Sequence, residues 1–534
     1  MRRIQLSNLA AFDSKGTFQF SSFQDFLNNN ALFFQQALQT ATFDAHQTQQ
    51  FYFAQDDIRV NQSLTLNLGL RYEYSSVPLG FFGATDPQSL AALVPGPVRP
   101  DRNNWAPGVG FAFSPHYKSG LLSKIFGDGT GVLRGGYRIA YDFLFYNLLT
   151  VDASNFPRVV VPRIDNATDQ FPNLAPVSGS AVFSPLATFV NTPSDAKTPY
   201  SQLYSLSFQR GVHGNYIIEV GYTGSRSTNQ VNQLQANPGI LTAAQAATVV
   251  ATSNPNSIPS VQQRRVFPQF GSRVLIDTTA QATYNAGFIS VNRRLSRGLQ
   301  FGVAYTFSKL LSNNDESLGV GAITGGSPQV PQDFFNLGAE KSLSAFDRTH
   351  RLVANYIYEA PTPGFAQNNR ALKQIFGHWE LSGITSRQSG QPFSILTGVD
   401  SNGNGAAGDR PNFNPAGQLI LDPVTQNFRT FTTSGTPFFV PRGSNGLPLN
   451  FSLGNGSLGR NTYRAPGFYN TDFSFSKHIK FNEAREFILR ADFLNAFNQD
   501  NYGIPVNSLN SADFGKNLNN FGNRSITLDA KFKF

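Results

Sequence analysis

The stretch Leu64-Thr65-Leu66-Asn67-Leu68-Gly69-Leu70-Arg71-Tyr72-Glu73-Tyr74 decides how the whole chain is read. Leu64, Leu66, Leu68, Leu70, Tyr72 and Tyr74 alternate with Thr65, Asn67, Gly69, Arg71 and Glu73. Successive side chains of a β-strand point to opposite faces, so one face of this segment is wholly apolar and the other is polar or small. A strand of about ten residues with one side in hydrocarbon and one in water has this pattern. Leu299 to Ser308 repeats it, with Leu299, Phe301, Val303, Tyr305 and Phe307 set against Gln300, Gly302, Ala304, Thr306 and Ser308. A soluble sheet with one wet face also alternates. What separates the two here is the recurrence of the pattern with no βα rhythm.

Extended along the chain, the same reading predicts fourteen strands: Thr17–Phe26, Gln50–Arg59, Leu64–Tyr74, Trp105–Ser114, Thr130–Tyr141, Gln202–Gln209, Asn215–Thr223, Tyr284–Leu295, Leu299–Ser308, His350–Glu359, His378–Arg387, Phe468–Ser476, Glu486–Asn495 and Ile526–Phe534. Their connections alternate in length. Val60–Ser63, Arg210–Gly214, Ser296–Gly298 and Ile479–Arg485 are short, whereas Ser75–Asn104, Phe143–Ser201, Gly224–Thr283, Lys309–Thr349, Gln388–Gly467 and Ala496–Ser525 are long and rich in Pro, Asn, Gly and Ser. Unstructured loops of that length are uncommon in a compact soluble domain. Short turns on one side and long loops on the other are a property of outer-membrane barrels. The expected fold is all-β: an antiparallel transmembrane β-barrel with long extracellular loops and short periplasmic turns. Residues 50–534 form its main part, and residues 1–49 are a less defined start of the barrel region.

Composition narrows the alternatives. There are 50 Phe and 18 Tyr but one Met, which suits aromatic girdles better than a soluble core. Cysteine is absent, which removes disulfides, thiolate metal sites and cysteine nucleophiles. The net charge of +9 is scattered without a Lys/Arg block, so nucleic-acid binding is a poor reading. No run approaches the roughly 20 apolar residues of a spanning helix. Met1-Arg2-Arg3-Ile4-Gln5-Leu6-Ser7-Asn8 carries no apolar core of a secretory signal. No P-loop, nucleophile elbow or dinucleotide-binding glycine motif is present, and the six His show no metal-binding spacing. Asp56-Asp57 and Asp315-Glu316 offer adjacent carboxylates, but neighbours on a strand point apart, so Asp56 and Asp57 cannot converge on a glycosidic bond. The expectation is a chain that is not an enzyme.

Several segments resemble the C-terminal barrel of Oar-like (carboxypeptidase-regulatory-like) TonB-dependent receptors: Phe51-Tyr52-Phe53-Ala54-Gln55-Asp56-Asp57 leading into Leu66-Asn67-Leu68-Gly69-Leu70-Arg71-Tyr72-Glu73, then Phe346-Asp347-Arg348-Thr349-His350-Arg351-Leu352-Val353, Gly459-Arg460-Asn461 with Pro466-Gly467, Asp472-Phe473-Ser474-Phe475-Ser476-Lys477, and Arg490-Ala491-Asp492-Phe493-Leu494-Asn495-Ala496-Phe497-Asn498. The resemblance implies a barrel in the outer membrane of a Gram-negative-type bacterium, filled by a plug and energised by the TonB system, that takes up a large solute. The family barrel has 22 strands. Here about fourteen are expected, and no plug, TonB box or signal peptide precedes them. Two expectations follow: a fragment of a longer receptor, coupled to TonB only through a plug encoded elsewhere, or a self-contained smaller barrel. A structural or adhesive outer-membrane protein that transports nothing is the functional alternative, and a secreted β-rich enzyme a remote one.

Site candidates follow from the alternation. Arg71, Glu73, Arg134, Arg138, Glu219, Asp472, Arg490 and Asp492 fall on the inward side, where they would line a solute path, hold a plug, or form an ordinary polar wall. Asp400-Ser401-Asn402-Gly403-Asn404-Gly405 matches the start of a calcium loop, with Asp400, Asn402 and Asn404 as ligands. Pro411 stands where the bidentate Glu belongs, so Asp409 would substitute; the plain alternative is a Gly/Asn turn. No other cofactor is expected. Phe532 and Phe534 end the last alternating strand and resemble the signal read by the barrel-assembly machinery. Trp105 and Trp379 open strands, as interfacial belt residues do.

Overall fold

The structure, a computed structural model, describes residues 2–10, 16–20, 26–36, 41–77, 98–142, 163–168, 171, 189–212, 215–252, 257–315, 330–398, 400–406, 408–413, 417–421, 427–432, 455–482, 485–509 and 511–534. Alternation builds one long antiparallel meander in which each strand pairs with the next in sequence. Its fourteen strands are β1 Arg2–Ala10, β2 Ala41–Arg59, β3 Leu64–Ser75, β4 Trp105–Phe113, β5 Gly131–Tyr141, β6 Tyr200–Val212, β7 Tyr216–Gln235, β8 Arg273–Ser296, β9 Leu299–Ser312, β10 His350–Ala360, β11 Trp379–Gln388, β12 Phe468–Lys480, β13 Glu486–Leu494 and β14 Ser525–Lys533. Among the described residues no ladder joins β14 to β1.

The number of strands matches the sequence reading, but one member differs. The predicted strand Thr17–Phe26 is not in the meander. Thr17–Gln19 instead pairs with Asn30–Gln35 in a separate small sheet, and residues 21–25 lie outside the described residues. The place it was given belongs to β1, which pairs with Ala41–Gln49. Arg2-Arg3-Ile4-Gln5 has no clean alternation, so periodicity could not single it out. Strands β7 and β8 also run well past their predicted ends at Thr223 and Tyr284. A strand of 20 residues rises about 66 Å, far more than a bilayer core needs, so the far ends of this pair stand clear of it. A bulge between Ser227 and Gln230 marks the change, and beyond it the pair packs Val231 and Ile276 against Val190 of a short parallel strand.

The register carries the two faces across the whole sheet. Leu66, Phe111, Leu133, Phe208, Val220, Ile289, Tyr305, Leu352, Phe475 and Leu489 share the apolar face. Much of that face is open, with Leu68, Val220, Phe307 and Leu528 all exposed. A contiguous exposed apolar surface on this scale needs a nonaqueous neighbour. Its rims are aromatic at both ends of the strands. On the long-loop rim, the Trp105 ring lies 4.7 Å from that of Tyr72. On the short-turn rim, Trp379 stacks on Phe475 at 4.7 Å, with Lys477 Nζ 4.9 Å from the indole. Tight turns hold the short side. Arg297 and Gly298 both have positive φ, 52° and 75°, the conformation of a two-residue hairpin that follows strand twist. A Cβ on Gly298 would come within 2.3 Å of the Glu359 carbonyl oxygen, so only glycine fits.

Candidate functional site

All eight charged residues singled out by alternation lie on the polar face, because the register carries Arg71 and Glu73 of β3 onto the same side as Arg134 and Arg138, Glu219, Asp472, and Arg490 and Asp492. They do not meet in one cluster. Arg71 Nε is 2.6 Å from Glu73 Oε1. Arg134 donates to Gln209 Oε1 at 2.6 Å, and Arg138 lines a recess of about 610 Å³ with Asn67 and Ser205. Glu219 stands opposite Gln209 and Ser290. The other three share a recess of about 770 Å³ with Asn355, Ser382 and Ser474. There Arg490 Nε bonds Asp492 at 2.7 Å, while Asp472 accepts from Asn495 N at 2.7 Å and Asn470 Nδ2 at 2.9 Å. This is a hydrogen-bonding wall of mixed sign, able to hold a polar surface laid against it. Asp57 also faces this side, taking a 2.6 Å bond from Asn67, whereas Asp56 faces the other, so the two diverge as strand geometry requires.

The most ordered polar chemistry lies above the sheet, in the long connections. Arg410 makes a two-pronged pair with Glu340 at 2.8 and 3.0 Å, both nearly inaccessible. Arg460 reaches Asp315 at 2.5 Å and donates to the Glu340 carbonyl at 2.9 Å and to Ser312. Asn461 bonds Asp315 and the Leu343 carbonyl, each at 2.8 Å. Arg464 meets Asp347 at 2.6 Å, and Asp347 also accepts from Leu310 N and Thr349 Oγ1. Burial opposes ionisation of Asp315, but the Arg460 guanidinium and the donors from Ser344, Ser312 and Ala345 N override it and hold the carboxyl below its usual range. Beside this network, Phe393, Ile395 and Leu458 form an apolar core with Ile504 and Phe514. Three long connections, β9–β10, β11–β12 and β13–β14, thus fold into a cap tied to the top of β9. Sequence reading missed the network because its partners are 145 and 70 residues apart, beyond any periodic signal. The hints were Asp315, noted as one of two adjacent carboxylates, and two segments noted for family resemblance, which contain Asp347 and Arg460-Asn461.

The Asp400 loop sits in the same cap. Asp400 accepts from Asn404 N at 3.0 Å and Gly405 N at 2.9 Å. Asp409 Oδ2 accepts from Ser401 N at 2.6 Å, Asn402 N at 2.8 Å and Ser401 Oγ at 3.1 Å. Asn402 Oδ1 and Asn404 Oδ1 take Asn404 N and Ala406 N. Each of the four residues therefore already turns an oxygen to the loop's own backbone. Burial, and then the nearby Asp400 carboxylate, push Asp409 up to about 7. Arg264 binds Gly403 O at 2.9 Å and ties this loop to the β7–β8 connection. Among the described residues, no three His, Cys, Asp or Glu are grouped to hold a metal. At the C-terminus, Phe532 and Phe534 rings lie 6.3 Å apart and Phe534 is almost fully exposed.

Solved structures similar to this chain include the outer membrane transporter YddB from Escherichia coli, with a TM-score of 0.47, 11% identity, and coverage of 93% of this chain and 46% of that one. They also include the pyoverdine outer membrane receptor FpvA of Pseudomonas aeruginosa PAO1, at a TM-score of 0.43 and 9% identity, covering 92% of this chain and 43% of FpvA. The siderophore receptor PirA from Acinetobacter baumannii gives a TM-score of 0.42 and 10% identity, with 92% and 46% coverage. The chain spans less than half the length of these proteins. No curated protein matches it. The model of the outer membrane beta barrel domain family matches residues 1–527, and the chain, with its two-faced meander of strands, belongs to that family.

Proposed function

We propose that this outer-membrane chain is the barrel part of a receptor of the TonB-dependent, Oar-like kind, which takes up a large solute through its polar side. The observation that carries the reading is the pairing of a mixed-charge polar wall with a rigid cap of long connections on one rim. The wall suits a plug held by ion pairs, and the cap suits recognition of a solute from outside. The terminal Phe532 and Phe534 fit recognition by the barrel-assembly machinery. Deleting the gene tests the reading. Loss of growth on at least one large solute, among oligosaccharides, peptides and iron chelates, is expected, and loss of TonB should reproduce it. Wild-type growth on all of them, with reduced attachment to surfaces, would favour a structural or adhesive role instead.

A second reading concerns the cap alone. Burial raises both Asp400 and Asp409, and Asp400 further disfavours the charge of Asp409, within a loop of calcium-loop spacing; a divalent cation would offset both effects. Calorimetric titration of Ca²⁺ should give heat that Asp400→Ala abolishes; identical traces end the idea.

A further inference from the structure

Two connections on the short-turn side carry helices that the barrel reading does not use. These are α1, Gly120–Phe126 between β4 and β5, and α2, Arg370–Phe376 between β10 and β11. Their sequences rhyme: Lys124-Ile125-Phe126-Gly127 in one and Lys373-Gln374-Ile375-Phe376-Gly377 in the other. At about 100° per residue, Leu121, Leu122, Ile125 and Phe126 cover one side of α1, and Ala371, Leu372, Ile375 and Phe376 one side of α2. Those sides are not buried. Leu121 is 73% exposed and Ile375 57%, and Phe365, just before the second helix, is 67% exposed.

Each helix is fastened to the apolar face of the sheet. The Phe126 ring lies 5.8 Å from Phe113 and 5.3 Å from Phe208, both on that face. Arg210 caps α1 by donating to Ile125 O at 2.8 Å and to Lys124 O. In α2, Trp379 Nε1 donates to Ile375 O at 3.1 Å, and Lys477 donates to Gly377 O. Phe365 and Phe376 meet edge to face at 5.2 Å. The exposed apolar surface of both helices therefore continues the membrane-facing belt outward at its short-turn rim. Basic residues accompany it, namely Lys118 and Lys124 at α1 and Arg370 and Lys373 at α2, all exposed. Neither helix has an acidic residue in its first turn.

We infer that α1 and α2 are interfacial feet that lie in the headgroup zone of the phospholipid leaflet on the short-turn side, their apolar sides among upper acyl chains and their lysines on anionic headgroups. Short helices of this kind bind by buried apolar area plus attraction to anionic lipid. The inference rests on the membrane placement of the belt.

The absence of cysteine makes the test direct. The full chain is folded into vesicles of phosphatidylethanolamine and phosphatidylglycerol, with an environment-sensitive fluorophore on Leu121→Cys, Phe376→Cys, Leu68→Cys or Asn482→Cys. Labels at 121 and 376 should be quenched more by 5-doxyl than by 12-doxyl lipid and be shielded from iodide, while the label at 482 stays open to iodide. Lys124→Glu with Lys373→Glu, or omission of phosphatidylglycerol, should lower the 5-doxyl quenching roughly twofold. Iodide access at 121 and 376 equal to that at 482, with 68 still quenched by 12-doxyl lipid, overturns the inference and leaves the membrane reading standing. Loss of lipid quenching at 68 overturns both.

Discussion

Arg460 is the residue on which the cap depends most, since one guanidinium joins Asp315, the Glu340 carbonyl and Ser312 with almost no solvent contact. Removing one partner of a buried pair strands the other, at a cost of about 3–5 kcal/mol, whereas replacing both with apolar groups is often close to neutral. Arg460→Ala should therefore open the cap to protease, while the double replacement Arg410→Leu with Glu340→Leu should leave cleavage much nearer to that of the parent. Equal cleavage in parent and Arg460→Ala would mean the network carries no load. Asp409 gives the cap a pH dependence of predictable sign. Its carboxyl binds a proton near pH 7 in the closed loop but near pH 4 once the loop opens. Between those values the closed form holds more protons, so cap stability falls as pH rises from about 4 to about 7 and is flat above. Asp315, held low, acts in the opposite sense, its contribution being lost as pH falls below about 4. In metal-free protein, Asp409→Asn should remove most of the slope between pH 4 and 7, an effect on the order of a few kcal/mol, leaving the part contributed by Asp400, which burial also raises. A variant that keeps the slope contradicts the assignment.

At the scale of the strand, alternation was legible wherever one face met hydrocarbon, as in β3, β9 and β13, because there each side chain is chosen by its solvent. It was illegible where both faces meet water or protein. The outer half of β7, Ser227 to Gln235, reads Ser-Thr-Asn-Gln-Val-Asn-Gln-Leu-Gln and carries no period-two signal, yet most of it pairs with β8. The helices α1 and α2 were missed because seven residues are too few for a periodic signal against flanking loops. The candidate charges were legible as to face, since alternation fixes that, but their partners were not. Arg134 bonds Gln209 across a register that the sequence does not display. The same two-solvent logic predicts an asymmetry within β3. Leu68→Arg should cost about 2–4 kcal/mol in urea-induced unfolding from vesicles, and Asn67→Arg, one residue away, should cost a small fraction of that. Equal costs would contradict the assignment of faces.

For the molecule as a whole, the alternation of short and long connections is the property that joins sequence to fold. It forces every strand to reverse, sends the folded cap to one rim and places α1 and α2 at the other. Strand β14 pairs only with β13 among the described residues, and all nine of its residues are exposed. A strand edge in lipid must be paired, because unsatisfied backbone groups there cost several kcal/mol each. Closure is therefore a requirement of the membrane rather than something β14 supplies by itself. The central claim is that one face of the sheet meets hydrocarbon while the other meets water. Nitroxide scanning of single cysteines from Leu64 to Tyr74 in vesicles tests it most directly. Oxygen accessibility should peak at 66, 68 and 70, and accessibility to a water-soluble nickel chelate should peak at 67, 69 and 71, out of phase with a period of two. Parallel profiles, or a reversed phase, would contradict it.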